Sequence, residues 1–288
     1  MSLKIVTDSA CDLPRDIIDN LDILTLPLNV LEGDREYRDK ETITPKELYA
    51  GMRAGSFYKT SQSLPNIILN RIRAELDRGS DIIYICFSSG LSGQFQTVNL
   101  LFEDLRREYG DSEIHLVDSR ASCCGMGMMV KKAGEMAQAG RSIGEILEML
   151  DFYVENMEHI ILVDKMDYLY KGGRIGRVKA LTGGLLNIKP IVGIDDLGRL
   201  KFIDKVRGRK KLFRKTEELI LEANLGDIKD QTIGLVYGDN EEMARDFIDF
   251  LNESLEPRDI IVENIGASVA AHTGPDIIGI TFLRENYK

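Results

Sequence analysis

The sequence contains no tryptophan, only three histidines and four cysteines in 288 residues, and each shortage narrows what the chain can do. With so few imidazoles, chemistry that depends on histidine has few places to sit. Cys11, Cys86, Cys123 and Cys124 form no C-x-x-C pair, so neither a zinc ribbon nor a disulfide scaffold is expected, and no metal or other cofactor is called for. Positive charge is also short: 37 Lys and Arg face 47 Asp and Glu, for a net charge of −10, which argues against a nucleic-acid binder. No apolar run approaches the length of a membrane span, so stable membrane insertion is not expected. The N-terminal stretch M-S-L-K-I-V-T-D-S runs straight into a strand pattern and carries no secretory leader, so the expected location is the cytoplasm. There is no internal repeat and no low-complexity linker.

What the chain does have is a buried-strand signal running into a loop of hydroxyls and glycines. Ile82-Ile83-Tyr84-Ile85-Cys86-Phe87 is an apolar run without polar alternation, which reads as a strand covered on both faces. It stops in Ser88-Ser89-Gly90-Leu91-Ser92-Gly93, and apolar residues at Phe95, Val98, Leu101, Phe102 and Leu105 then keep helical spacing. The carboxyl end of a parallel strand beside a helix N-terminus suits an anionic ligand, because free N–H groups and the helix dipole favour negative charge. Two readings are open: a seat for a carboxylate or phosphate, or a serine cap with turn glycines. Thr60-Ser61-Gln62-Ser63 is a second polar loop before a second helix, with the same pair of readings.

Strands alternate with helices through the first half. Strands are expected at 4–7, 24–30, 82–87 and 114–117, with Glu32 to Lys40 as a charged turn. Helices are expected after Pro14, after Thr44-Pro45, and at 66–76, 94–109, 125–139 and 142–154. The second half adds a strand at 160–163, a short helix, a hairpin of 189–194 and 199–206, and a helix at 210–223. Strand 232–237, helix 241–255, strand 260–265, a loop at 266–275 and strand 278–282 complete it. The fold class is therefore α/β in two domains. Residues 1–155 form a doubly wound, mostly parallel sheet, and residues 156–288 a mixed α+β domain.

Other features carry weaker signals. Met126, Met128, Met129 and Met136 on one helix are core filler or the lining of an adaptable apolar pocket. Ser92, His272 and either Asp8 or Asp118 would supply a hydrolase triad, but Gln94 stands where G-x-S-x-G requires glycine. Lys171-Gly172-Gly173-Arg174-Ile175-Gly176-Arg177 is basic and glycine-rich without the order of a P-loop. The run from Lys205 to Lys215, with Arg207, Arg209, Lys210 and Lys211, is a basic cluster in an acidic chain. It reads as a solvated helix face or as a docking patch for an acidic partner. The alternative function these features leave open is a small-molecule phosphotransferase or hydrolase using the same Ser and Thr loops.

Taken in order, several stretches resemble the DegV family of bacterial fatty-acid-binding proteins. They are Thr7-Asp8-Ser9-Ala10-Cys11-Asp12-Leu13-Pro14, Thr60-Ser61-Gln62, Ser88-Ser89-Gly90-Leu91-Ser92-Gly93, Val117-Asp118-Ser119, Lys171-Gly172-Gly173-Arg174-Ile175, Lys189-Pro190-Ile191 and His272-Thr273-Gly274-Pro275. The resemblance implies a long-chain fatty acid such as palmitate in a tunnel between the domains. Its carboxylate would be held by Thr60 and Ser92, with Ser61 and Gly93 in the same loops and His272 close by. Ser88, Ser89, Asp8, Ser9, Thr273, Met126 and Met129 would surround that site. The family acts as a carrier rather than an enzyme, and some members present the acid to a fatty acid kinase; Arg174, Arg207, Arg209, Lys210 and Lys211 would then be the docking candidates. A seat of hydroxyls without Lys or Arg would leave the carboxylate free to attack a phosphoryl group.

Overall fold

The computed structural model of the chain describes residues 2–163, 167–174 and 188–287. In chain order the first half contains β1 (Ser2–Asp8), α1 (Arg15–Asn20), β2 (Leu24–Leu26), β3 (Asn29–Glu32), β4 (Arg35–Arg38), α2 (Pro45–Arg53), β5 (Lys59–Ser61) and α3 (Pro65–Leu76). It continues with β6 (Ser80–Cys86), α4 (Gln94–Glu108), β7 (Ile114–Asp118), α5 (Cys123–Gln138) and α6 (Ile143–Asn156). Then come β8 (Met157–Val163), α7 (Asp167–Lys171), β9 (Ile188–Ile194), β10 (Leu200–Arg207), α8 (Arg209–Ala223) and β11 (Thr232–Tyr237). The last elements are α9 (Glu241–Ser254), β12 (Asp259–Asn264), α10 (Ala267–Thr273) and β13 (Ile277–Leu283). Ile175-Gly176-Arg177 of the glycine-rich basic turn lies outside the described residues.

The first sheet is parallel, in the order β2-β1-β6-β7. Successive side chains of a strand point to opposite faces. Val6, Ile82 and Tyr84 therefore meet α3 and α4 through Ile68, Ile72, Val98 and Phe102, whereas Ile5, Ile83 and Ile85 meet α5 and α6. That two-sided cover is why the strand at 82–87 shows no polar alternation. The strand order reverses direction between β1 and β6, so the carboxyl ends of these two strands form a topological switch point.

The second sheet is mixed, in the order β10-β9-β8-β13-β11-β12, with only β11 and β12 parallel. Leu212, Phe213 and Ile220 of α8 and Phe247 and Leu251 of α9 cover one face. The other face packs on α5, whose opposite side rests on β1 and β6. One core cluster accordingly runs from Ile5 and Ile83 through Met126 and Met129 to Val236 and Ile277.

Several stretches depart from the sequence reading. The single strand expected over 24–30 is two, because Pro27 cannot donate to a ladder: β2 stays in the parallel sheet and β3 leaves it. The charged turn expected over 32–40 contains β4, which pairs antiparallel with β3 around Gly33-Asp34. The polar loop at 60–63 begins in β5, which joins the other edge of β3 to complete a small sheet β4-β3-β5. Arg35-Glu36-Tyr37-Arg38 is mostly exposed, so it has no apolar alternation to betray a strand. Finally, the loop expected over 266–275 contains α10. Seven residues, most of them small, are too few to show a helical period, and the helix N-terminus is capped from far away in sequence. The Gly266 N–H donates to Asp12 at 3.0 Å, the Ala267 N–H to Asp39 at 2.9 Å, and the Ser268 hydroxyl to Asp39 at 2.6 Å.

Candidate functional site

A cavity of about 480 Å³ lies between the two large sheets, beside the first turn of α5. Its walls are mostly apolar and come from both halves: Leu28, Phe87 and Leu91 on one side, Ile161, Val163, Val192, Leu200 and Ile277 on the other. At one end Ser61 and Gly93 are exposed to solvent, and at the other Cys123, His159, Val236 and Thr281 are buried. The cavity thus runs from a polar mouth into the shared core.

Thr60, Ser61, Ser92, Gly93, His272 and Thr273 all line the cavity, so chain segments more than 200 residues apart meet there. Thr60 is placed by β5, Ser92 by the loop between β6 and α4, and His272 by the last turn of α10. The Thr60 Oγ1 and His272 Nε2 atoms are 2.6 Å apart. His272 Nδ1 is buried against Gly172 and has no partner among the described residues. A buried lone pair without a donor is less costly than a buried N–H without an acceptor, which assigns the proton to Nε2. His272 then donates to Thr60 Oγ1, and the Thr60 O–H is free to donate into the cavity. Burial, and next the charge of Arg174, push the His272 pKa down to about 4, so the ring is neutral near pH 7. The Ser92 hydroxyl accepts from the Gln94 N–H at 3.2 Å, which likewise leaves its own proton to donate elsewhere.

Arg174 also lines the cavity, where the sequence reading places it on a docking surface. It is half-buried, and its guanidinium donates to the carbonyls of Gly172 at 2.8 Å and Leu91 at 3.4 Å. Burial lowers its pKa, and it has no carboxylate partner among the described residues. The sequence reading expects a seat without Lys or Arg; in the structure the loops at 60–63 and 88–93 are uncharged, and Arg174, from the segment after α7, lines the same cavity. Gly172 lets that segment lie against His272, since a Cβ there would fall 2.2 Å from Nδ1.

Other candidates are placed elsewhere. Asp8 is fully buried at the switch point and accepts from the Phe87 N–H at 2.7 Å, the Tyr84 hydroxyl at 2.5 Å and Gln94 Nε2 at 3.0 Å. Ser9 donates to Asp39, Ser88 to the Gly198 carbonyl and Ser89 to Asp118. Met126 and Met129 are fully buried core residues outside the cavity wall. The run from Lys205 to Lys215 lies on β10 and α8, away from the cavity; Arg209 pairs with Asp246, Lys210 and Lys211 are exposed, and Arg207 is exposed at the end of β10. The Ser–His–Asp triad does not assemble among the described residues: His272 bonds Thr60, Asp8 is committed as above, and Asp118 accepts from Ser89 and the Arg120 N–H.

Two contributors were not singled out from sequence. Gln94 ties the donor loops together, accepting from the Ser63 N–H at 3.0 Å while donating to Asp8. His159, in β8, lines the buried end; burial pushes its pKa to about 4, and it bonds the Ser122 backbone while its Nε2 has no partner among the described residues. A histidine directly before the apolar run of 160–163 was the available signal.

Comparison with known proteins gives a consistent family assignment. The sequence profile of the DegV family, described as uncharacterised proteins, matches residues 2–285. A DegV domain-containing protein of Clostridium perfringens is 35% identical over 287 residues, covering 98% of this chain and 97% of the relative. One from Caldanaerobacter subterraneus is 33% identical, covering 97% and 98%. Among solved structures, a DegV family protein from Thermus thermophilus, described for its fatty acid binding, superposes with a TM-score of 0.89 at 30% identity, covering 98% and 99%. A stearic acid-binding protein from Eubacterium ventriosum gives a TM-score of 0.89 at 26% identity, covering 98% of each chain.

Proposed function

This chain belongs to the DegV family, and on that footing we propose that it is a carrier that binds one long-chain fatty acid, with the tail in the cavity and the carboxylate at its polar mouth. The observation that carries this reading is the combination at the mouth of a largely apolar cavity. Two hydroxyls with protons to give, on Thr60 and Ser92, stand beside a half-buried guanidinium that has no counter-ion among the described residues. A carboxylate leaving water needs donors for its oxygens, and charge-assisted hydrogen bonds are the strong ones. Thr60 and Ser92 donate to it, His272 orients the Thr60 hydroxyl, and Arg174 supplies the balancing charge.

The tail supplies most of the affinity. At about 0.8 kcal/mol per buried CH₂, a long acyl chain contributes on the order of 10 kcal/mol gross, part of which is lost to association entropy and chain ordering. The headgroup residues then set orientation, with the carboxylate at the solvent-facing end. There a separate kinase can reach it, and phosphoryl transfer belongs to that partner rather than to this chain. The reading requires no cofactor, and four free, buried cysteines suit a carrier working in the cytoplasm.

Mass spectrometry of the purified protein under native and then denaturing conditions tests this directly. The expected result is an added mass equal to one fatty acid, released on unfolding, or stoichiometric uptake of palmitate or oleate by apo protein. Apo protein that takes up neither overturns the carrier reading.

A further inference from the structure

The loop that carries Ser92 is held from outside the cavity, by the turn that joins β9 to β10. Ser88 is fully buried, and its Oγ donates to the Gly198 carbonyl at 2.7 Å while accepting the Gly90 N–H at 3.2 Å. The Ser88 carbonyl in turn accepts the N–H groups of Leu91 and Ser92, both at 3.1 Å. The fit leaves no slack. Gly198 sits at φ +70°, and a Cβ there would lie 2.1 Å from Ser88 Oγ; a Cβ on Gly90 would lie 2.5 Å from the carbonyl oxygens of Leu197 and Gly198. The turn has its own stiffening, since Asp195 Oδ1 accepts the N–H groups of Leu197 at 3.0 Å and Arg199 at 2.9 Å. Arg120 adds a bond to the Asp196 carbonyl at 3.2 Å. Neither Ser88 nor Gly198 lines the cavity.

We propose that the Asp195–Gly198 turn is a positioning element for the headgroup seat: through Gly198 and Ser88 it sets where the Ser92 hydroxyl points, and so tunes carboxylate recognition without touching the ligand. The proposal rests on the reading of Ser92 given above. The loop between β6 and α4 has no ladder of its own to hold it. Ser89 anchors its start to Asp118 and Arg174 reaches the Leu91 carbonyl, while Ser88 is the loop's own side chain that reaches across to the β9–β10 turn. Both glycines are explained by this contact, because at each the opposing backbone or hydroxyl occupies the space a side chain would need.

The test is a double-mutant cycle between Gly198→Ala and Ser92→Ala, measuring binding of palmitate and of hexadecanol, which shares the tail but carries no charge. Gly198→Ala is expected to weaken palmitate by about tenfold, the worth of one hydrogen bond to a charged group, while hexadecanol changes little. In the Ser92→Ala background it should cost nothing further. A palmitate-to-hexadecanol ratio unchanged by Gly198→Ala, or a full additional loss on top of Ser92→Ala, overturns the proposal. Should Gly198→Ala fail to fold, Asp195→Ala loosens the same turn without adding bulk, and the same two outcomes decide. Amide hydrogen exchange separates this idea from the wider one. If Ser92→Ala itself leaves the ratio at its wild-type value, the headgroup reading is wrong. The clamp is then judged by exchange alone: faster exchange at Leu91 and Ser92 in Gly198→Ala supports it, and unchanged protection refutes it.

Discussion

Replacing Thr60 by valine removes one hydroxyl at nearly constant volume, and the geometry around it states what should follow. Thr60 Oγ1 lies 2.6 Å from His272 Nε2, and the proton assignment makes that oxygen an acceptor from His272 and leaves its own proton for the carboxylate of the proposed ligand. The Thr60→Val variant would leave one carboxylate oxygen short of a donor and the buried His272 N–H short of an acceptor. A hydrogen bond to a charged group is worth about 1.5–3 kcal/mol, so palmitate affinity should fall by roughly 10- to 150-fold at 1.4 kcal/mol per factor of ten. Hexadecanol, which keeps the tail contacts, should lose far less, because a hydroxyl headgroup can turn to other partners. Thr60→Ser restores the donor and should recover most of the loss. Displacement of a fluorescent fatty acid, read for both ligands in all three proteins, gives the numbers. An unchanged palmitate constant, or equal losses for acid and alcohol, would refute the assignment of Thr60 as a carboxylate donor.

Other expectations follow from the same structure. Arg174→Gln should weaken palmitate and also remove much of the salt dependence of its binding, since the guanidinium has no competing carboxylate among the described residues; titrations at low and high salt check this. His159 and His272 are both depressed to about 4. Each therefore binds fewer protons folded than unfolded between about pH 6.5 and 4, so stability should fall as the pH drops through that window. His159→Gln should flatten that fall by about 3 kcal/mol relative to wild type, read from urea midpoints across pH; taking the difference also cancels Asp8 and Asp39, whose raised values act in the opposite sense. Asp39→Ala strips the acceptor from Ser9, Ser268 and the Ala267 N–H. It should cost about 3 kcal/mol or more in unfolding free energy, measured by denaturant titration. Val192→Phe places a ring in the cavity wall and should discriminate against longer acyl chains first, at about fourfold per excluded CH₂.

Much of this was legible because it is encoded locally. The run at 82–87 announces a strand covered on both faces, and Thr44-Pro45 announces a helix start, which α2 makes with a capping box between Thr44 and Glu47. Asp195-Asp196-Leu197-Gly198 announces the hairpin of β9 and β10. Thr60, Ser92 and His272 could be named because the stretches that hold them match DegV motifs in order; composition alone marked polar loops before helices. What stayed hidden is held by distant partners. The helix α10 owes its start to Asp12 and Asp39, more than 220 residues earlier. Strands β4 and β5 exist only because β3 offers them an edge. Arg174 looked like surface charge, since nothing in Lys171-Gly172-Gly173-Arg174 says that its guanidinium turns toward a cavity. The four methionines were ambiguous for a related reason: apolar residues on a helix with two buried sides cannot be sorted into cavity wall and core by period alone.

The placement of α5 between the two large sheets carries a consequence of its own. Its small and flexible residues serve as mortar for both β1–β6 and β11–β13, so neither sheet has a complete hydrophobic face without it. Severing the polypeptide anywhere near α5 would leave a greasy flank on each fragment. Heat should accordingly melt the whole chain in a single calorimetric step rather than in two. A fatty acid seated beside the first turn of that helix would raise the temperature of the one transition for both halves together.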